Sequence, residues 1–326
     1  MKKFFKVFLI IILVIILAVA GIATYVKTAL PNVGSAPDIK VDNTPARVAR
    51  GKYLANSVVI CMECHSQHDF TSFGNPVLPG TFGKGGDLFG KQRGFPGDIY
   101  AKNITPYNLA NWTDGEIFRV ITTGVTKTGK ALFPLMPYHA YGKIDQEDVY
   151  SIIAYIRTLP SIKNDVPATT LDFPLNFIVN TIPVKAALTV KPDTNNSVAY
   201  GQYLVTSAAC ADCHSKVKQG NVIPGTEFGG GREFGDPNGN IVTSANITPD
   251  NQTGIGPWSK EAFIQRFKQY GPGVYTPQKL APTDFATVMP WLEYATMTEK
   301  DLGAMYDYLR SLQPISNKVE KVRKKG

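Results

Sequence analysis

The sequence predicts an all-α protein in which an N-terminal transmembrane helix precedes two tandem copies of one small helical unit. Three observations predict it. An apolar run from Val7 to Val26 follows Lys2, Lys3 and Lys6. A series of short motifs occurs twice in the same order, at offsets of 143 to 153 residues. Each copy places apolar residues at helical spacing, as in Val149, Ile152, Ile153 and Ile156, and again in Leu302, Met305, Tyr306 and Leu309.

The apolar run comes first in the chain. Twenty helical residues just cross a bilayer core. The lysines before the run should stay in the cytoplasm, which sends everything after Lys27 across the membrane. Ala18-Val19-Ala20 resembles a signal-peptidase site, so a cleaved signal peptide is the alternative. An uncleaved anchor over residues 1–30 is favoured because apolar residues continue to Val26. Residues 31–44, with Pro31, Gly34, Ser35 and Pro37, read as a tether.

The first copy spans residues 45–160 and the second 197–315. Gly51-Lys52-Tyr53-Leu54 returns as Gly201-Gln202-Tyr203-Leu204, and Asn103-Ile104-Thr105-Pro106 returns as Asn246-Ile247-Thr248-Pro249. Trp112 answers Trp258, and Met136-Pro137 answers Met289-Pro290. Opening helices are expected near 45–57 and 197–208. Middle helices start at Thr113, in the capping box Thr113-Asp114-Gly115-Glu116, and at Ser259. Last helices follow Asp145 and Thr298 and stop at Pro160 and Pro314. The Gly-rich stretches 80–97 and 225–240 read as irregular or as a short hairpin. Residues 161–196 are too apolar for a free linker and read as an ordered strap. The basic tail 316–326 is expected to fray.

The chemistry lies in Cys61-Met62-Glu63-Cys64-His65 and Cys210-Ala211-Asp212-Cys213-His214. Two thiols two residues apart can each add to a vinyl group of one porphyrin, and the adjacent His lies under the iron as proximal ligand. The two motifs use all four cysteines. A thioredoxin-like redox pair or a zinc site would not explain the His after both pairs. The expectation is two covalently bound haem c groups, on Cys61 and Cys64 with His65, and on Cys210 and Cys213 with His214. Met136 and Met289, each before a proline, are the candidates for the opposite axial positions; core filling is the alternative, and their repeat-equivalent positions favour ligation. His68 and His139 read as surface or loop histidines, with a proton-linked role for His139 the lesser possibility.

Charge excludes one class of function. The net charge of +8 is concentrated in residues 1–30 and in the tail, so the body is close to neutral and offers no basic face for nucleic acid.

These residues resemble class I cytochromes c. They resemble more closely the membrane-associated cytochrome c subunits of bacterial alcohol and gluconate dehydrogenases. The likeness covers about residues 45–315. It rests on Gly51-x-Tyr53-Leu54, Asn103 to Pro106, Trp112 to Glu116, Met136-Pro137-Tyr138 and Ala154 to Pro160, with their partners in the second copy. It implies two tandem class I cytochrome c domains with proximal His65 and His214 and distal Met136 and Met289. It also implies that Gly51 and Tyr155, and Gly201 and Tyr308, lie near a crossing of first and last helices. Those subunits resemble a three-haem chain, whereas this sequence holds two motifs. The leading expectation is an electron carrier without substrate chemistry, tethered to the inner membrane with its haem domains on the periplasmic side. Its partners would be a dehydrogenase, a quinol-oxidising complex or a terminal oxidase. The alternatives are a di-haem oxidoreductase such as a peroxidase, which needs an open iron, or the electron-accepting subunit of a dehydrogenase complex.

Overall fold

The computed structural model describes residues 2–236, 240–281 and 284–323. Helix α1 runs Lys2–Thr28 without a break. Among the described residues it is the one helix long and apolar enough to cross a membrane. Its apolar side chains, Phe8, Leu13 and Leu17 among them, stand exposed. The expected tether is held at its far end: Val41 is buried and its N–H donates to Asp114 Oδ2 at 2.8 Å.

Helix α2, Pro45–Tyr53, starts with Pro45 in its first turn, where the missing N–H costs nothing, and Thr44 caps it. It widens into a π-turn over Leu54–Val58 and is followed by the single turn α3, Cys61–Cys64. Strands β1, Leu88–Phe89, and β2, Gly97–Tyr100, form an antiparallel ladder. Helix α4 is Pro106–Leu109. Helix α5, Asp114–Thr123, carries the expected capping box, Thr113 and Glu116 satisfying each other's backbone N–H. Short α6, Tyr138–Tyr141, leads to α7, Gln146–Arg157, capped by Asp145. The connecting segment adds β3, Thr170–Leu171, beside β2, then α8, Leu175–Ile178.

The second half follows a similar order, adding a strand pair and showing no counterpart of α4 among the described residues. It comprises α9, Ser197–Ser207, α10, Cys210–Cys213, a β4–β5 pair at Val217–Lys218 and Asn221–Val222, and β6, Glu233–Gly235, against β7, Ile241–Thr243. Then come α11, Lys260–Lys268, α12, Trp291–Tyr294, and α13, Glu299–Ser311, capped by Thr298. Strand β8, Val322–Arg323, closes onto β7.

Two expectations need correction. The protein is mainly helical, and among the described residues three short sheets interrupt it, with hairpins at the Gly-rich stretches as one of the two expectations there had it. The Gly-rich stretches cause this, because their repeated positive φ angles, as at Gly83, Gly85, Gly230 and Gly231, rule out helix and fold the chain back on itself. The tail does not fray through Arg323. It pairs with β7, and Arg323 meets Glu233 at 2.9 Å; residues 324–326 lie outside the described residues, as do 237–239 of the second Gly-rich stretch.

In each half the first helix crosses the last, α2 against α7 and α9 against α13. A Cβ at Gly51 would overlap the Ser151 carbonyl, and one at Gly201 would overlap that of Ala304. Tyr155 and Tyr308 sit beside these glycines. The halves share one hydrophobic cluster, with Leu54, Ile152 and Ile153 from the first and Leu204, Leu302 and Leu309 from the second. Polar contacts cross in matched pairs. Tyr53 donates to Asp301 at 2.5 Å and Tyr203 donates to Asp148 at 2.7 Å. Their oxygens accept the Thr298 and Asp145 N–H groups, each at 3.2 Å.

Candidate haem sites

Each Cys-x-x-Cys-His segment is built the same way. Ile60 and Ala209 adopt left-handed backbone, φ 46° and 51°, and turn the chain into α3 and α10. A β-branched residue at positive φ is a strained choice, and the surrounding fold holds it there. One turn of helix puts both thiols of a pair on one side. The His N–H then returns to the first Cys carbonyl, at 3.0 Å for His65 and 2.9 Å for His214.

The imidazoles are fixed by backbone. His65 Nδ1 lies 2.7 Å from the Lys102 carbonyl and His214 Nδ1 lies 2.8 Å from that of Ala245. A carbonyl only accepts, so Nδ1 carries the hydrogen and Nε2 is left with a free lone pair for a metal. Enclosure lowers both imidazole pKa values, which keeps them neutral. Burial pushes the Cys61, Cys64 and Cys210 thiols up to about 12 and raises Cys213 as well.

Sequence reasoning missed the parts that hold these rings. Gly85 and Gly230 donate to the carbonyls of His65 and His214, both at 2.7 Å. A Cβ on either glycine would run into the backbone that presents the Nδ1 acceptor, Lys102 to Asn103 or Ser244 to Asn246. Ser66 and Ser215 accept from Gly83 and Phe228 at 3.2 and 3.1 Å. Tyr141 and Tyr294 are buried and donate to the Val59 and Ala208 carbonyls just before each motif, at 3.0 and 3.3 Å. The repeat offsets were the available signal for all of these. The acceptor carbonyls have no sequence signal, because every residue has one.

Met136 and Met289 occupy matching turns. Pro137 has φ −77°, ψ 55° and Pro290 has φ −77°, ψ 70°; the next N–H returns to the Met carbonyl at 2.8 Å in both. These are inverse γ-turns. Both methionines are half-buried against the cluster that Cys61 and Cys210 also join. Met62, Met297 and Met305 are instead fully buried core residues.

Between the two motifs lies a set of ionisable side chains from both halves. His68 is buried rather than a surface histidine; its Nδ1 is 2.6 Å from Asp87 and its Nε2 is 3.3 Å from Glu63. Burial alone would lower its pKa, but these carboxylates outweigh that and raise it to about 9. Burial, with the facing Glu63, lifts Glu293 of α12 well above the ordinary carboxylate range. His139 remains half-exposed and reaches across to Asp212 of the second motif at 3.0 Å. Arg232 donates to the Asp212 carbonyl at 2.5 Å, while Arg93 stacks 4.3 Å from the Phe70 ring.

No protein-family model matches the chain. Curated relatives do. The chain is 28% identical over 319 residues to the fructose dehydrogenase cytochrome subunit of Gluconobacter japonicus, covering 91% of this chain and 59% of that one. It is 26% identical over 295 residues to the alcohol dehydrogenase (quinone) cytochrome c subunit of Gluconacetobacter polyoxogenes, covering 84% and 58%. It is 26% identical over 285 residues to the gluconate 2-dehydrogenase cytochrome c subunit of Pantoea cypripedii, covering 82% and 60%. The chain thus spans about three fifths of the length of these relatives. It resembles the cytochrome c subunits of fructose, alcohol and gluconate dehydrogenases.

Proposed function

We propose that this chain is a membrane-tethered di-haem cytochrome c that passes electrons from a dehydrogenase or quinol-side donor to a respiratory acceptor, without substrate chemistry of its own. Two class I cytochrome c domains, 45–160 and 197–315, each hold one haem c. The observation that carries the reading is the duplicated motif with both imidazoles locked through Nδ1 onto backbone carbonyls. Bound haem supplies reversible one-electron chemistry at iron.

The rest is the work of the chain's own residues. Cys61, Cys64, Cys210 and Cys213 anchor the groups covalently. His65 and His214, held through Nδ1, would offer Nε2 to the iron. Met136 and Met289, half-buried where Met62, Met297 and Met305 are fully buried, would supply a thioether from turns stiffened by Pro137 and Pro290. A thioether ligand favours the reduced iron relative to a second His. Helix α1 keeps the body at the inner membrane, on the periplasmic side where covalent haem attachment is expected.

Intact-chain mass decides the stoichiometry: two haem additions that survive denaturation are expected. The absorption spectrum decides the role. Low-spin haem without peroxide turnover is expected of a carrier, whereas a stable high-spin haem that turns over peroxide makes the chain an enzyme.

A further inference from the structure

The segment after β3 buries Val179 and Pro183 but leaves Phe173, Ile178 and Val184 exposed. From Phe173 to Val184 the chain runs twelve residues without a charged side chain. Phe173 is 80% exposed, Val184 60% and Ile178 44%. Soluble proteins seldom leave large apolar side chains bunched in this way. The location gives the reason. Helix α8 and the turn after it, Val179–Thr181, pack against α1. The partly covered positions near the end of α1 are Ala23 and Val26, three residues apart on one helix face.

We infer that residues 173–184 dip into the membrane interface beside the exit of α1, as a second contact with lipid. This rests on the anchor reading above. If Lys6 marks one face of the bilayer, the twenty residues from Val7 to Val26 bring the chain to the other face, and α8 lies against that end. Phe173 and Ile178 then meet the boundary between acyl chains and headgroups, with Asn176, Asn180 and Thr181 supplying polar groups at the same level. Lys27 and Lys185 flank the patch and suit anionic headgroups.

The consequence is orientation. One helix on a tether lets the body swing, and a second contact does not. The segment leads back through β3 to β2, whose Gly97 and Asp98 pair with Leu171 and Thr170. Strand β2 ends two residues before Lys102, the His65 acceptor. The membrane contact is therefore built into the frame of the first haem site.

Photo-crosslinking of the full-length haem-loaded chain in isolated membranes tests this. Phe173→p-benzoylphenylalanine and Ile178→p-benzoylphenylalanine should yield phospholipid adducts. Val274→p-benzoylphenylalanine, 74% exposed on a second-half loop, should yield at least roughly tenfold less, since burial shifts an aromatic side chain's partition by that factor or more. Ile15→p-benzoylphenylalanine in α1 reports the anchor. Lipid adducts at Ile15 with none at Phe173 or Ile178 overturn the second contact and leave the anchor standing. No adduct at Ile15 overturns the anchor, and this inference with it. A protein adduct at Phe173 in place of lipid assigns the patch to a partner subunit and overturns the inference.

Discussion

Met136 and Met289 are ordinary methionines given a special place by one neighbour each. Pro137 and Pro290 close inverse γ-turns, which hold each Met carbonyl and hence its side-chain direction. Met136→Ala should open one iron to carbon monoxide and lower the midpoint potential of that haem alone, and Met289→Ala should do the same at the other. Both variants keep Cys and His, so covalent haem should be unchanged. Loss of half-buried side-chain volume should cost roughly 1–2 kcal/mol, below the range for fully buried methionines. Redox titration with carbon monoxide difference spectra makes the check. An unchanged potential in either variant would show that its methionine is not a ligand.

The helix pairs depend on contacts closer than side chains allow. Gly51 lets α2 rest on the Ser151 carbonyl of α7, and Gly201 lets α9 rest on the Ala304 carbonyl of α13. The obstacle is backbone in both, so no rotamer change relieves it. Gly51→Ala should therefore cost about 3 kcal/mol or more, the upper end for overpacking, despite the gain in helix propensity. Gly201→Ala should cost as much. Gly129→Ala, at φ +80° with open space around it, should cost only its backbone strain of about 1 kcal/mol. Chemical denaturation of the three variants gives the ranking, and a Gly51→Ala melt equal to that of Gly129→Ala would contradict the crossing.

Across the whole molecule the two halves are joined by one apolar cluster and by charges sealed at its edge. Asp148 accepts from Arg50 Nε and Nη2, at 2.9 and 2.7 Å, and from the hydroxyl of Tyr203 of the other half. Burial alone would raise its pKa, but Arg50 and Tyr203 hold it below the ordinary carboxylate value. A carboxyl depressed on folding adds stability above its unfolded pKa of about 3.9, and that contribution disappears as pH falls through the folded value. Acidification below about pH 4 should thus weaken the joint between the halves. Asp148→Asn should flatten that part of the pH profile. It should cost roughly 2–3 kcal/mol at neutral pH, less than a fully buried pair because Arg50 keeps 25% of its side chain exposed. Calorimetry should show one unfolding transition for both halves. Two resolved transitions would mean that the shared cluster does not couple them.

What the sequence alone determined is everything carried by side-chain identity at fixed spacing. Cys-x-x-Cys-His is a local turn, so its backbone geometry needs no distant residue to be legible. The capping box at Thr113 and the apolar faces of α7 and α13 are local in the same sense, as is the apolar length of α1. The repeat predicted two equivalent units before any contact was known. What tertiary structure decided is the work of backbone atoms and of chain that meets from far away. The Lys102 and Ala245 carbonyls that orient His65 and His214 have no signature, because every residue carries the same group. The ladders β2–β3 and β7–β8 join residues 72 to 74 and 80 to 82 apart, so neither these pairings nor the ordered tail was legible in local sequence. The pairing of Tyr53 with Asp301 and of Tyr203 with Asp148 depends on how two copies dock. An amphipathic repeat says that each copy has an apolar face; the shape of both faces together settles which residues seal them.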